Sequence, residues 1–260
     1  MGLEIGSTLD RRWTLRRLVA QDAHGALYEV KHAHLDRTAS LVAAPKEHRA
    51  RLIREARLRD GIDHEGMLRL LDVADAADGT AYIVTRHAAG RPLDGALLAR
   101  GTFAPDESVV LVLSLADTLA RVHELGLAHE ALSPSCVLLQ EGKAVLADLG
   151  VFATPLGSVT GSLASMPYTA PERLREGRPA SPVSDVYSLS ALLAELLTGG
   201  APCDWPPADL SFPIELAKVI DIGLGEAHKR YPPAAALALA MRQATAVAPL
   251  PVSKPPPPRR

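Results

Sequence analysis

Between Trp13 and Val42, apolar and polar side chains alternate in the short runs Trp13-Thr14-Leu15, Ala26-Leu27-Tyr28-Glu29-Val30 and Ser40-Leu41-Val42-Ala43. A period of two puts alternate side chains on one face, so these runs predict antiparallel strands of a small sheet, broken near Gly25 and near Asp36-Arg37. From Lys46 to Asp60 charges fall almost everywhere except Leu52, Ile53, Ala56 and Leu58, which share one side of a 3.6-residue helix. Two further strand-like runs, 67–73 and 81–84, flank Asp78-Gly79, a tight-hairpin dipeptide. After Gly90-Arg91-Pro92 the apolar period lengthens to nearly four. Pro105-Asp106-Glu107 opens a helix with acids in its first turn, and 109–125 is apolar nearly all round, which predicts a helix buried at the centre of a lobe. Residues 137–139 and 144–146 form a hairpin around Glu141-Gly142-Lys143, and a long polar loop follows from Gly150 to Thr169, a length that points to function or mobility. Ser184-Asp185 predicts the cap of a helix over 186–197 that Gly199-Gly200 terminates. Two more helices, 214–224 and 233–245, precede a Pro-rich tail expected to be unpacked polyproline II. The pattern predicts an α+β chain: a β-rich lobe with one helix over 1–86, a larger helical lobe over 87–247, and a tail or linker over 248–260.

Composition narrows the function. The chain has 260 residues, 47% hydrophobic and 22% charged, enough apolar material for a sizeable core, which excludes disorder for most of it. Its 28 basic against 30 acidic side chains leave no excess to displace counterions from a nucleic acid, so no nucleic-acid partner is expected. The two cysteines, Cys136 and Cys203, stand without a CxxC or a neighbouring Cys/His run, so neither a zinc site nor a disulfide is expected, and a reducing cytoplasm is the simplest location. No apolar window reaches the ~18 residues of a membrane span, and the first residues lack the features of a signal peptide.

Five motifs stand in one order along this layout: His129-Glu130-Ala131-Leu132-Ser133-Pro134-Ser135-Cys136, Asp148-Leu149-Gly150, Ala170-Pro171-Glu172, Ser184-Asp185-Val186-Tyr187, and Lys229-Arg230-Tyr231-Pro232. Singly each is weak, but in register they resemble the catalytic loop, the DFG and APE motifs and two later signatures of the bacterial Hanks-type Ser/Thr protein kinases. The resemblance implies a bilobal kinase-like fold.

The departures from that family carry the functional reading. Counting back from Gly25, the third position of the glycine-rich loop, the first two glycines are Ala20 and Asp22. Glycine there lets backbone N–H groups close over phosphates, and a carboxylate repels them. The strand lysine that pairs the α/β-phosphates is Val42, leaving its helix glutamate, Glu55, without that partner. The proton-accepting aspartate of the catalytic loop is Ala131, its lysine is Ser133 and its magnesium-binding asparagine is Cys136. Asp148 alone survives among the metal ligands, and one carboxylate is a poor magnesium site. By the resemblance His129 is a packing residue, Glu172 and Arg230 form a buried pair holding the activation segment, and Asp185 anchors the catalytic-loop backbone. Lys46, or less favourably Lys31, is the candidate to replace the missing lysine, and the segment Arg86-His87-Ala88 still offers backbone hydrogen bonds to an adenine.

The resemblance therefore implies a degenerate member, a pseudokinase without a cofactor, acting as a scaffold or allosteric regulator. The competing readings are an atypical kinase or nucleotidyl transferase using Asp148 with a relocated lysine, and a nucleotide-sensing module. Thr160, in the hydroxyl-rich run 157–162, is the candidate phosphoacceptor, which would make an active kinase or a phosphothreonine-binding domain the expected partner. The surface around Arg173, Arg175 and Arg178 is the other candidate contact.

Overall fold

In the computed structural model, residues 3–152, 166–200, 202, 205–207 and 210–245 are described. Thr160, Cys203 and the Pro-rich tail lie outside them. The alternating runs form a six-stranded antiparallel sheet, built from β1 (Thr8–Leu9), β2 (Trp13–Gln21), β3 (Ala26–His32), β4 (Thr38–Ala44), β5 (Leu70–Asp75) and β6 (Ala81–Arg86) in the order β1-β2-β3-β4-β6-β5. Register puts Leu27 opposite Val42, and Val42 opposite Ile83. These three share the face that receives helix α1 (Arg49–Asp60), whereas Trp13, Tyr28, Leu41 and Tyr82 form a second cluster on the other face. Both faces are thus buried, each by every second side chain.

The expected helix over 46–60 begins with a 3-10 turn at Lys46–His48 and becomes α only at Arg49. Its buried positions are Leu52, Glu55, Ala56 and Arg59, spaced as one helical stripe, while Ile53 and Leu58 are half-buried. The stripe entering the protein is therefore half charged, contrary to the purely apolar side expected. The predicted strand over 67–73 is also shifted: β5 starts at Leu70, and Met67 makes only a single bridge to Leu146.

The second lobe opens with β7 (Arg91–Pro92) and α2 (Leu93–Arg100), a helix the periodicity did not reveal. At its centre lies α3 (Pro105–Glu124), buried at Val109, Val112, Leu115, Ala116, Leu119 and Val122. Burial of each such aliphatic side chain contributes roughly 1.5–3 kcal/mol over exposure. Around it stand the hairpin β8 (Val137–Gln140) and β9 (Lys143–Leu146), with α4 (Pro171–Glu176), α5 (Pro182–Thr198), α6 (Ile214–Leu224) and α7 (Ala234–Thr245). The cap of α5 is Ser181, whose side chain accepts from Ser184 N–H, with Pro182 at the first helical position. Ser184-Asp185 lies inside the helix, and Asp185 is buried there. No described helix is long and apolar enough to cross a membrane.

Candidate functional site

Where β2 turns into β3, the Asp22 carboxylate folds back on its own loop. Its Oδ1 accepts the N–H groups of His24 at 2.8 Å and Gly25 at 2.9 Å. This is the Asx turn that a short carboxylate forms with following amides. Asp22 was expected only to repel phosphates; it also occupies the amides that would have held them. Gly25 has its own packing reason to stay small: a Cβ there would lie 2.4 Å from Ala43 O and 3.2 Å from the Phe152 ring.

Ser40 and Val42 of β4, two residues apart, lie on the same face of the pleat. Ser40 Oγ accepts the Ala88 N–H at 2.8 Å, so the amide expected to be open to an adenine is engaged within the chain. Val42 joins Leu27, Leu138, Val145 and Phe152 in one apolar cluster, with the half-buried Ala20 packed against it. That cluster runs from the sheet across to the β8–β9 hairpin of the other lobe. Phe152 is 2% exposed. Lys46 lies at the tip of the β5–β6 hairpin beside Gly79, and Lys31 pairs with Asp36 at 2.9 Å. Neither lysine takes the place of the one that Val42 replaces.

Glu55 is not left idle. Its Oε1 accepts Leu149 N–H at 2.7 Å, and its Oε2 accepts Val151 N–H at 3.1 Å and Phe152 N–H at 3.3 Å. Arg51 of the same helix donates to Val151 O at 3.0 Å, and Arg54 pairs with Glu130 at 2.8 Å, so α1 is fastened to the other lobe along its length. One turn after Glu55, the buried Arg59 stands 3.9 Å from Glu55 Oε1 and donates to Leu68 O. Burial and the neighbouring Asp148 push the Glu55 carboxyl up to about 7, against the pull of Arg59 and the backbone donors. Burial lowers Arg59 from its ordinary value, while Glu55 and Asp148 favour its charge.

The loop 129–136 is held from beneath. Asp185 Oδ2 accepts His129 N–H at 2.9 Å and meets His123 Nε2 at 2.8 Å. Asp148 Oδ1 accepts Gly150 N–H at 2.9 Å, and a Cβ on Gly150, whose φ is +79°, would fall 2.4 Å from Ala131 N. Ala131 presents only a methyl group where a proton acceptor would be needed. The Ser133 hydroxyl meets that of Ser135 at 2.8 Å. Cys136 Sγ lies 3.8 Å from His129 Nε2 and within 4.8 Å of an Asp148 carboxylate oxygen. The fold thus assembles the Cys/His group that the linear spacing did not reveal. Burial pushes His129 down to about 3, so the ring is neutral, and raises the Cys136 thiol far above its ordinary range.

The sequence matches the family model of the protein kinase domain over residues 18–236. The chain belongs to the protein kinase family. It is 28% identical over 212 residues to the serine/threonine-protein kinase PrkC of Bacillus subtilis, covering 77% of this chain and 32% of that protein. To the serine/threonine-protein kinase PknE of Mycobacterium bovis it is 29% identical over 204 residues, 73% of this chain and 35% of the relative. To PknL of Mycobacterium tuberculosis it is 30% identical over 206 residues, 75% of this chain and 51% of the relative. The chain therefore spans about a third to a half of the length of these relatives.

Within this kinase-family lobe, Arg230 and Glu172 form a two-pronged pair, Nη1–Oε1 at 2.6 Å and Nη2–Oε2 at 3.0 Å. Their side chains are 1% and 14% exposed, Arg230 Nε also donates to Gly225 O at 2.8 Å, and the guanidinium lies 5.0 Å from the Tyr187 ring centre. Arg173, expected at a contact surface, instead turns inward and donates to Glu130 O, while Arg175 and Arg178 are exposed. Kinase chemistry employs magnesium, which requires hard oxygen ligands in octahedral geometry. A thiol and an imidazole beside a single carboxylate do not fit that ion.

Proposed function

We propose that this kinase-family domain transfers no phosphate and acts as a protein-binding scaffold or allosteric regulator in bacterial signalling. The observation that carries this reading is that the nucleotide-recognising positions are engaged within the chain. Asp22 holds the loop amides, Ser40 holds the Ala88 amide, Glu55 holds the segment after Asp148, and Phe152 packs with Val42 in the cleft. Phosphoryl transfer relies on positioning and charge stabilisation, and Val42 supplies no charge while Ala131 accepts no proton. An active kinase acting on Thr160, or a domain that reads phosphothreonine, remains the proposed partner class, in the cytoplasm. The exposed Arg175 and Arg178 are the proposed contact residues.

The atypical-transferase reading draws its support from Arg59, a buried cation next to Glu55 and electrostatically linked to Asp148. Incubation with radiolabelled ATP and magnesium separates the two. The expected result is no label on the chain or on a generic protein acceptor above a heat-killed control. Transfer that Asp148→Asn abolishes overturns the inactive reading.

A further inference from the structure

We propose that His129 Nε2, Cys136 Sγ and an Asp148 carboxylate oxygen form a binding site for a borderline-soft divalent cation of the zinc class. Their ligand atoms all lie within 4.8 Å of one another, and all three residues are buried. A tetrahedral zinc ion, with Zn–S about 2.3 Å and Zn–N about 2.0–2.1 Å, holds its sulfur and nitrogen roughly 3.5 Å apart. The 3.8 Å between Cys136 Sγ and His129 Nε2 is close to that span, so little movement brings both onto one ion. Nitrogen, thiolate and carboxylate donors suit zinc or cobalt, whereas they exclude magnesium.

On binding, the Cys136 thiol releases its proton to solvent and becomes a thiolate. The dication then compensates the thiolate and the Asp148 carboxylate that ligate it. His129 ligates as the neutral imidazole. Nε2 gives up its proton and its bond to the Asp148 backbone carbonyl, and Nδ1 takes the proton in place of its 3.2 Å contact with Ala131 N–H. Three protein ligands leave the fourth position for a water.

The test is a titration of the metal-free full chain with Co²⁺, followed by Zn²⁺. The expected result is a thiolate-to-cobalt charge-transfer band in the near ultraviolet that saturates at one equivalent and is bleached by one equivalent of Zn²⁺. Cys136→Ser loses the band, and Cys203→Ser keeps it. Zn²⁺ should raise the melting midpoint of the wild type and of Cys203→Ser but not of Cys136→Ser. Absence of the band from the wild type overturns the proposal whatever the variants do, and so does a band that survives Cys136→Ser.

Discussion

Arg230→Ala is expected to lower the melting midpoint by on the order of 10 °C. Removing one partner of a buried ion pair leaves the other charge uncompensated and costs about 3–5 kcal/mol, against under about 1 kcal/mol for an exposed pair. At roughly 2–4 °C per kcal/mol for a chain of this size class, the shift is large. The pair belongs to the first kind: both prongs are short, and Arg230 is 1% exposed at its side chain while also holding Gly225 O. Burial alone would raise the Glu172 carboxyl, but the Arg230 hydrogen bonds outweigh it and hold the value below its ordinary 4.5. A lowered carboxylate contributes stability that is present above the ordinary value and lost as pH falls through the folded-state one. The deficit of Arg230→Ala should therefore be full at neutral pH and narrow below about pH 4.5. Calorimetric scans of both proteins across that range decide it, and equal midpoints at pH 7 would show that the pair carries no weight.

Glu55→Ala should be comparably damaging, although no phosphate chemistry is proposed to depend on it. The substitution strands three backbone N–H groups, of Leu149, Val151 and Phe152, and leaves the buried Arg59 without its neighbouring carboxylate. A buried donor left unmade costs about 1–3 kcal/mol, and the unpaired guanidinium puts the total at about 3–5 kcal/mol or more. Glu55→Gln keeps an acceptor oxygen and should lose less. Urea unfolding gives the free energies, and amide exchange at Val151 and Phe152 reports the clamp itself. Unchanged stability of Glu55→Ala, with exchange no faster than in the wild type, would mean that the helix does not hold this segment.

Much of the fold was legible because its elements differ in period. Alternation of two between Trp13 and Val42, and near-continuous apolar character over 109–125, place side chains on faces that only a sheet and a buried helix satisfy. Helix α2 escaped notice because Gly95 and the polar Asp94 interrupt its eight residues. The cap of α5 was misplaced because Ser184-Asp185 imitates an N-cap, although Pro182 marks the true first position. The half-charged stripe of α1 was readable as 52, 55, 56 and 59, but a search for apolar residues alone passes over Glu55 and Arg59.

The site was legible only by position. Val42, Ala131 and Cys136 could be counted from motifs, because a missing group needs no geometry to be noticed. What those positions do instead depends on contacts between distant segments. Ser40 with Ala88 is a pairing across 48 residues, and Glu55 with Phe152 one across 97, and neither leaves a local pattern. Asp22 is the exception, since an aspartate three residues before Gly25 is a turn signal in its own right. The approach of Phe152 to Gly25 follows from the backbone after Gly150 and has no counterpart in composition or period.

Titration of Mg-ATP into the full chain by isothermal calorimetry tests the self-occupied cleft most directly. Nucleotide binding would have to displace the Asp22 carboxylate from its amides, break the Ser40–Ala88 hydrogen bond and move Phe152, with no lysine at position 42 to offset these losses. The expected result is no saturable heat up to about millimolar nucleotide, where a complex would still carry about −4 kcal/mol. A saturable isotherm with a micromolar Kd, about −8 kcal/mol, would contradict the account.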